Sequence, residues 1–140
     1  MIKRAYEPLE THLQPNEVLV IYGPRRVGKT TLLQSYLAQT PLRYKLDSGD
    51  NIRTQQVLSS QDRSQILSYV EGYELLAIDE AQGIPNIGFA LKVIVDQIPG
   101  IRVIVTGSSS FEPAGQEGEP LSGHKPVSYT HLTLPTSDLV

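Results

Sequence analysis

"GPRRVGKTT", Gly23 to Thr31, is the stretch whose reading decides the fold. Gly23-x-x-x-x-Gly28-Lys29-Thr30 has the full form of a loop that grips the phosphates of a nucleotide. Its glycines permit backbone angles that a side chain forbids, so that amides can turn inward on an anion. Lys29 supplies a point charge for the β- and γ-phosphates, and Thr30 offers a hydroxyl to Mg²⁺. The residues expected to line the nucleotide are therefore Gly23, Pro24, Arg25, Arg26, Val27, Gly28, Lys29, Thr30 and Thr31. Arg25 and Arg26 lie inside the loop and read as solvated surface arginines, with contact to the nucleotide or a neighbouring subunit as the alternative. The bland alternative is a glycine-rich turn with an idle lysine. The flanks decide against it, because a strand must precede such a loop and a helix must follow it.

Both flanks are present. "EVLVIYG" is a nearly unbroken apolar run, as in a strand buried on both faces of a parallel sheet. "KTTLLQSYLAQT" places Leu32, Leu33, Tyr36 and Leu37 at helical spacing and should stop near Thr40, because Pro41 disfavours helix in the residue before it. Its positive end points at the same anion. Further along, "LRYKLD" reads as a second strand and "SSQDRSQILSYVEG" as a helix, with Ser60 as its candidate cap and Ile66, Leu67 and Val70 on one face. "YELLAIDE" is a third strand. "NIGFALKVIVDQIPG" is a helix with Ile87, Leu91, Ile94 and Ile98 on one stripe, and "IRVIVTGSSS" is a fourth strand. Alternation of this kind predicts an α/β fold, a parallel sheet with helices on both faces. Ligands of such sheets sit at the carboxyl ends of the strands, where Gly23, Asp79, Glu80 and Thr106 all fall.

"LLAIDE" supplies what the loop lacks. Asp79 is the expected second holder of Mg²⁺, with Thr30, and Glu80 the expected group that orients and polarises an attacking water. A nucleotide kinase passes its phosphoryl group to another acceptor and has no need of the second acid, so the pair favours hydrolysis. Lys29, Glu80 and Thr106 are the candidate catalytic residues. Thr106, or Ser108 beside it, could sense the γ-phosphate or help hold the water; the plain alternative is a Ser/Gly loop without a ligand.

Composition excludes several classes. A hydrophobic content of 39% suffices for a core, and the absence of cysteine leaves no disulfide frame and no thiolate zinc site. A net charge of −3 with scattered Lys and Arg gives no broad nucleic-acid face. His12, His124 and His131 have no metal-like spacing. There is no leader-like start and no apolar run of bilayer length, so a cytoplasmic location and no membrane partner are expected.

Taken together, "GPRRVGKTT", "IDEAQGIPNIGFALKVIVDQIPGIRVIVTGSSSF" (Ile78 to Phe111) and "GEPLSGHK" (Gly118 to Lys125) make the chain resemble the N-terminal ATPase domain of a prokaryotic AAA-plus family. The resemblance covers residues 1 to about 125. It implies a P-loop ATPase core with strand order 5-1-4-3-2, ATP and Mg²⁺ as ligands, a homo-oligomer as the full-length form, and a C-terminal domain, absent here, with DNA or protein as its candidate partner. His124 stands where the family has arginine, a candidate for stabilising transition-state charge.

Beyond that point the sequence departs. Val127 to Thr136, VSYTHLTLPT, match residue for residue the in-frame translation of a transposase-type sequencing-library adapter. Residues 1–125 are accordingly read as an incomplete ATPase domain and 126–140 as a non-native tail. The sheet is expected to be truncated before its fifth strand and helical lid, with an open edge on the first strand and poor solubility. The alternative is a native edge strand, since Tyr129, His131 and Thr133 alternate with Thr130, Leu132 and Leu134. The expected function is ATP binding with Mg²⁺-dependent hydrolysis. The rivals are a nucleotide-gated switch with negligible turnover and a gene fragment with no function.

Overall fold

The structure, a computed structural model, describes residues 12–23, 28–108, 111–113 and 127–133. Buried apolar runs form the strands β1 (Val18–Tyr22), β3 (Leu75–Asp79) and β4 (Arg102–Gly107), and the more exposed, mixed segments β2 (Tyr44–Ser48) and β5 (Tyr129–Thr133) complete the set. Between them lie the helices α1 (Lys29–Gln39), α2 (Ile52–Leu58), α3 (Arg63–Tyr69) and α4 (Ile87–Gln97), with a short 3₁₀ turn at Ala81–Gly83. The strands form one sheet in the order β2-β3-β4-β1-β5, and every pairing is parallel.

Side chains alternate across a strand, so each strand feeds two cores. Leu19, Ile21, Leu75, Ala77 and Ile104 pack on one face against Leu32, Leu33, Tyr36 and Leu37 of α1. Val18, Val20, Leu76, Ile78, Val103 and Val105 pack on the other against Leu58 of α2, Ile66 of α3 and the apolar residues of α4. The result is a sheet between two helical layers. The helix α4 is buried on more than the expected stripe, because Ala90, Val93 and Val95 are covered as well as Ile87, Leu91 and Ile94. It lies against the sheet and also packs on α3.

Three local differences from the sequence reading have simple causes. Asp62, not Ser60, caps α3: its carboxylate accepts from the Gln65 amide at 3.3 Å. Ser60 closes the preceding helix instead, donating to the Val57 carbonyl at 2.7 Å. The helix α2 escaped the reading because its seven residues, IRTQQVL, bury only Thr54 and Leu58; it is started by Asn51, whose side chain accepts from the Thr54 amide at 3.1 Å.

The sheet does not end at four strands. Tyr129–Thr133 runs parallel to β1 in register from Val18↔Tyr129 to Tyr22↔Thr133. A parallel ladder uses backbone groups, so any extended segment that reaches an unpaired edge can complete it. Val127 adds a buried side chain, and the Val18 amide donates to the Ser128 carbonyl at 3.0 Å. The edge of β1 is therefore covered, and the strand order is the one that the resemblance implies.

Asn16 ties the chain ahead of β1 to the end of α4. Its Nδ2 donates to the carbonyls of Val95 and Ile98, each at 2.8 Å, and its Oδ1 accepts from the Gly100 amide at 2.8 Å. Two carbonyls at the C-terminal end of α4 gain partners this way. Asn16 sits at φ 59, a left-handed conformation that asparagine tolerates better than most residues. Asn16→Ala is expected to lower unfolding free energy by about 2–4 kcal/mol in a denaturant titration. Asn16→Gly, which keeps the backbone freedom but loses the bonds, is expected to recover no more than about 1 kcal/mol of that.

Candidate functional site

The site forms where β1, β3 and β4 end side by side. The Gly23 amide donates to the Gly107 carbonyl at 3.3 Å, fastening the start of the phosphate loop to the end of β4. Gly28 has φ 92, a left-handed angle that suits glycine, and caps α1; its carbonyl accepts from the Leu32 amide at 2.8 Å. Lys29 and Thr30 thus occupy the first turn of α1. Thr31 is exposed on the same turn. Pro24, Arg25, Arg26 and Val27 lie outside the described residues, as do "GEPLSGHK" and its His124.

Asp79 and Glu80 end β3. In a continuous strand two successive side chains would point to opposite faces of the sheet. Glu80 breaks that rule with φ 56 and ψ 51, a left-handed residue at the strand's end. This costs on the order of 1–2 kcal/mol for a non-glycine residue, and the surroundings hold it. The Glu80 amide donates to Thr106 Oγ1 at 2.9 Å, and its carbonyl accepts from the Gly83 amide at 3.1 Å. The Gly49 amide donates to the Asp79 carbonyl at 2.7 Å. A Cβ on Gly49 would stand 2.1 Å from the Glu80 carbonyl oxygen, so only glycine permits that approach.

With the turn fixed, the side chains converge. Thr30 Oγ1 donates to Asp79 Oδ2 at 2.7 Å, and Thr106 Oγ1 donates to Asp79 Oδ1 at 2.5 Å. Lys29 Nζ lies 3.5 Å from Glu80 Oε2, and Gln82 Nε2 donates to Glu80 Oε1 at 2.6 Å. Lys29 is 1% exposed, and its ammonium makes no hydrogen bond among the described residues. Loop lysine and strand acids therefore share one cluster, as the sequence reading required.

Thr106 is fully buried at the end of β4, and its hydroxyl bonds both the Asp79 carboxylate and the Glu80 amide. Three residues had no role in the sequence reading: Gln82, Gly49 and Gly83. Their roles depend on close approach between segments far apart in the chain, although Gln82 stands two positions after Glu80 in "IDEAQ".

An open cleft runs from Thr30 and Asp79 toward the end of β2, lined by Leu33, Gln34, Leu46, Asp47 and Ser48. Asp47 is engaged on its far side: it accepts from the Tyr69 hydroxyl and pairs with Lys45 at 3.9 Å. Burial first, and then the Asp47 carboxylate, hold the Tyr69 hydroxyl protonated well above the ordinary phenol range. Lys45 also lies 4.7 Å from the centre of the Tyr69 ring. Asp79 is thus the acid at this cleft that meets Thr30.

These residues fit a magnesium-bound triphosphate. Two oxygens 2.7 Å apart, on Thr30 and Asp79, are close to the edge of about 2.9 Å expected for neighbouring ligands of an octahedral Mg²⁺. A buried ammonium without a hydrogen bond fits an incoming phosphate oxygen.

Two solved structures share the fold. A DNA replication initiation factor superposes with TM-score 0.52 at 18% identity, covering 94% of this chain and 43% of the other. Domain III of the Thermotoga maritima replication initiation protein DnaA superposes with TM-score 0.51 at 21% identity, covering 92% and 60%. Uncharacterized proteins of Mycobacterium bovis and Mycobacterium tuberculosis are each 33% identical over 107 residues. That match takes in 76% of this chain and 23% of each relative, so the chain spans about a quarter of their length. No helix among the described residues is long and apolar enough to cross a membrane. The family model for the AAA domain matches residues 15–136, and with the phosphate loop, the acid pair and the five-stranded parallel sheet already in place, the chain belongs to the AAA domain family.

Proposed function

We propose that this domain binds ATP with Mg²⁺ and hydrolyses it. The observation that carries the reading is the cluster itself: a buried Lys29 ammonium with no hydrogen bond among the described residues, beside a Thr30–Asp79 pair 2.7 Å apart. Lys29 and the amides of the loop bind the phosphates. Thr30 and Asp79 hold the cation, which when bound neutralises phosphate charge. Glu80 Oε accepts the proton of an attacking water once the phosphate has drawn Lys29 away from it. Thr106 positions both acids.

The test is Mg²⁺-dependent ATP binding and hydrolysis by this chain and its variants. Lys29→Ala is expected to weaken ATP binding about 10–100-fold, the worth of one charge-assisted contact. Glu80→Gln is expected to keep binding and to lower kcat about 10²–10⁴-fold. Equal binding and equal rates in all three proteins would refute the assignments. A Glu80→Gln variant as fast as the parent, with binding still dependent on Lys29, supports instead a nucleotide-gated switch.

Thr106 gives an independent check. Thr106→Val keeps the volume but removes the hydroxyl from Asp79 and Glu80. It is expected to lower unfolding free energy by about 2–4 kcal/mol and kcat at least tenfold, whereas Thr106→Ser keeps most of both. If Thr106 read the γ-phosphate directly, Thr106→Val would instead lose the preference for ATP over ADP while its stability stayed near that of the parent.

Partners follow from the chain's share of its relatives. We propose that assembly with further copies, and any contact with DNA or protein, belong to the longer protein of which this domain is a part. The two structural neighbours are replication proteins by name, but their likeness carries the fold alone. For residues 126–140 we propose an origin in library adapter, on the match from Val127 to Thr136. A genome that itself encodes this tail and then a stop overturns that origin.

A further inference from the structure

We infer that Gln82 is a positioning residue that holds the Glu80 carboxylate away from Lys29 in the nucleotide-free protein, so that the ammonium stays available to phosphate. The inference rests on the ATP-binding reading above. A hydrogen-bonded ammonium–carboxylate pair closes to about 2.7–2.9 Å. Here Lys29 Nζ and Glu80 Oε2 stop at 3.5 Å, although both side chains are nearly buried and nothing else among the described residues hydrogen-bonds the ammonium. The other oxygen of the same carboxylate, Oε1, is held by Gln82 Nε2 at 2.6 Å. One end of a rigid planar group is anchored, and the other end falls short of the cation.

Two further observations show that this anchor is built in. Gln82 Oε1 is buried and makes no hydrogen bond among the described residues. A buried amide oxygen without a partner is costly, and it is tolerated here while the donor end of the same amide is committed to Glu80. The reverse orientation would set an acceptor against a carboxylate, which has only acceptors. The second observation is the room left for that amide. A Cβ on Gly107 would stand 3.1 Å from Gln82 Oε1 and 2.5 Å from Phe111 Cδ2, so the bare glycine at the end of β4 leaves the space. The start of the 3₁₀ turn at Ala81–Gly83, one residue after the left-handed Glu80, brings the amide back over its own acid.

The arrangement matters most when nucleotide binds. A carboxylate closed onto Lys29 would compete with the phosphate for the same ammonium. A neutral amide restrains the acid without taking the charge that the phosphate needs.

The test is equilibrium binding of Mg²⁺-ATP to the parent chain and to Gln82→Met, each also in a Glu80→Ala background, with thermal melting alongside. Gln82→Met keeps the side chain's length and loses the donor without adding a charge. It is expected to bind ATP about fivefold to tenfold more weakly than the parent, and the effect is expected to vanish in the Glu80→Ala background, where no carboxylate remains to close on Lys29. A merely structural role for Gln82 would weaken binding equally in both backgrounds and lower the melting temperature in step, and that result overturns the inference. Binding that depends on Lys29 but not on Gln82 overturns it alone. Binding indifferent to Lys29→Ala overturns the ATP-site reading as well.

Discussion

The site depends on one hydroxyl. Thr106 Oγ1 accepts the Glu80 amide at 2.9 Å and donates to Asp79 Oδ1 at 2.5 Å. The first bond secures a left-handed turn that glutamate would not adopt unaided. The second aims the aspartate, leaving its other oxygen for Thr30. Without that turn, alternation along β3 would send the two acids to opposite faces of the sheet. The fold's contribution is to end β3 and β4 side by side, so that a residue late in one strand can fix the backbone at the end of the other.

Much of this was legible in the sequence because it is local or periodic. Leu32, Leu33, Tyr36 and Leu37 announce α1, and all four are buried as their spacing requires. Apolar runs ending in Gly23, Asp79 and Gly107 announce three buried strands, and their parallel register follows from the helices between them. The convergence of Lys29, Thr30, Asp79 and Glu80 could be expected because ligands gather at the carboxyl edge of such sheets.

What was not legible lies in contacts between distant segments and in short elements. The helix α2 buries two residues and has too little periodicity to register. The strand β5 was legible only as the alternative to a foreign tail, on the alternation of Tyr129, His131 and Thr133, because it is held mainly by its backbone. Thr106 was singled out, but its bonds to Asp79 and the Glu80 amide were not, because a hydroxyl's bonds are set by its neighbours in space. Gln82 sits in plain view two positions after Glu80, yet its donor became meaningful only once the left-handed turn folded it back.

Gly49 and Gly83 meet across the base of the site. A Cβ on Gly83 would lie 2.6 Å from the Gly49 carbonyl oxygen, which itself accepts from Gln55 Nε2 at 2.7 Å. Main chain rests on main chain there, with no side chain between to yield by changing rotamer. Such a joint has no compliance: a displacement of the loop after β2 is delivered whole to the segment that carries Glu80, and the two must travel as a single rigid piece.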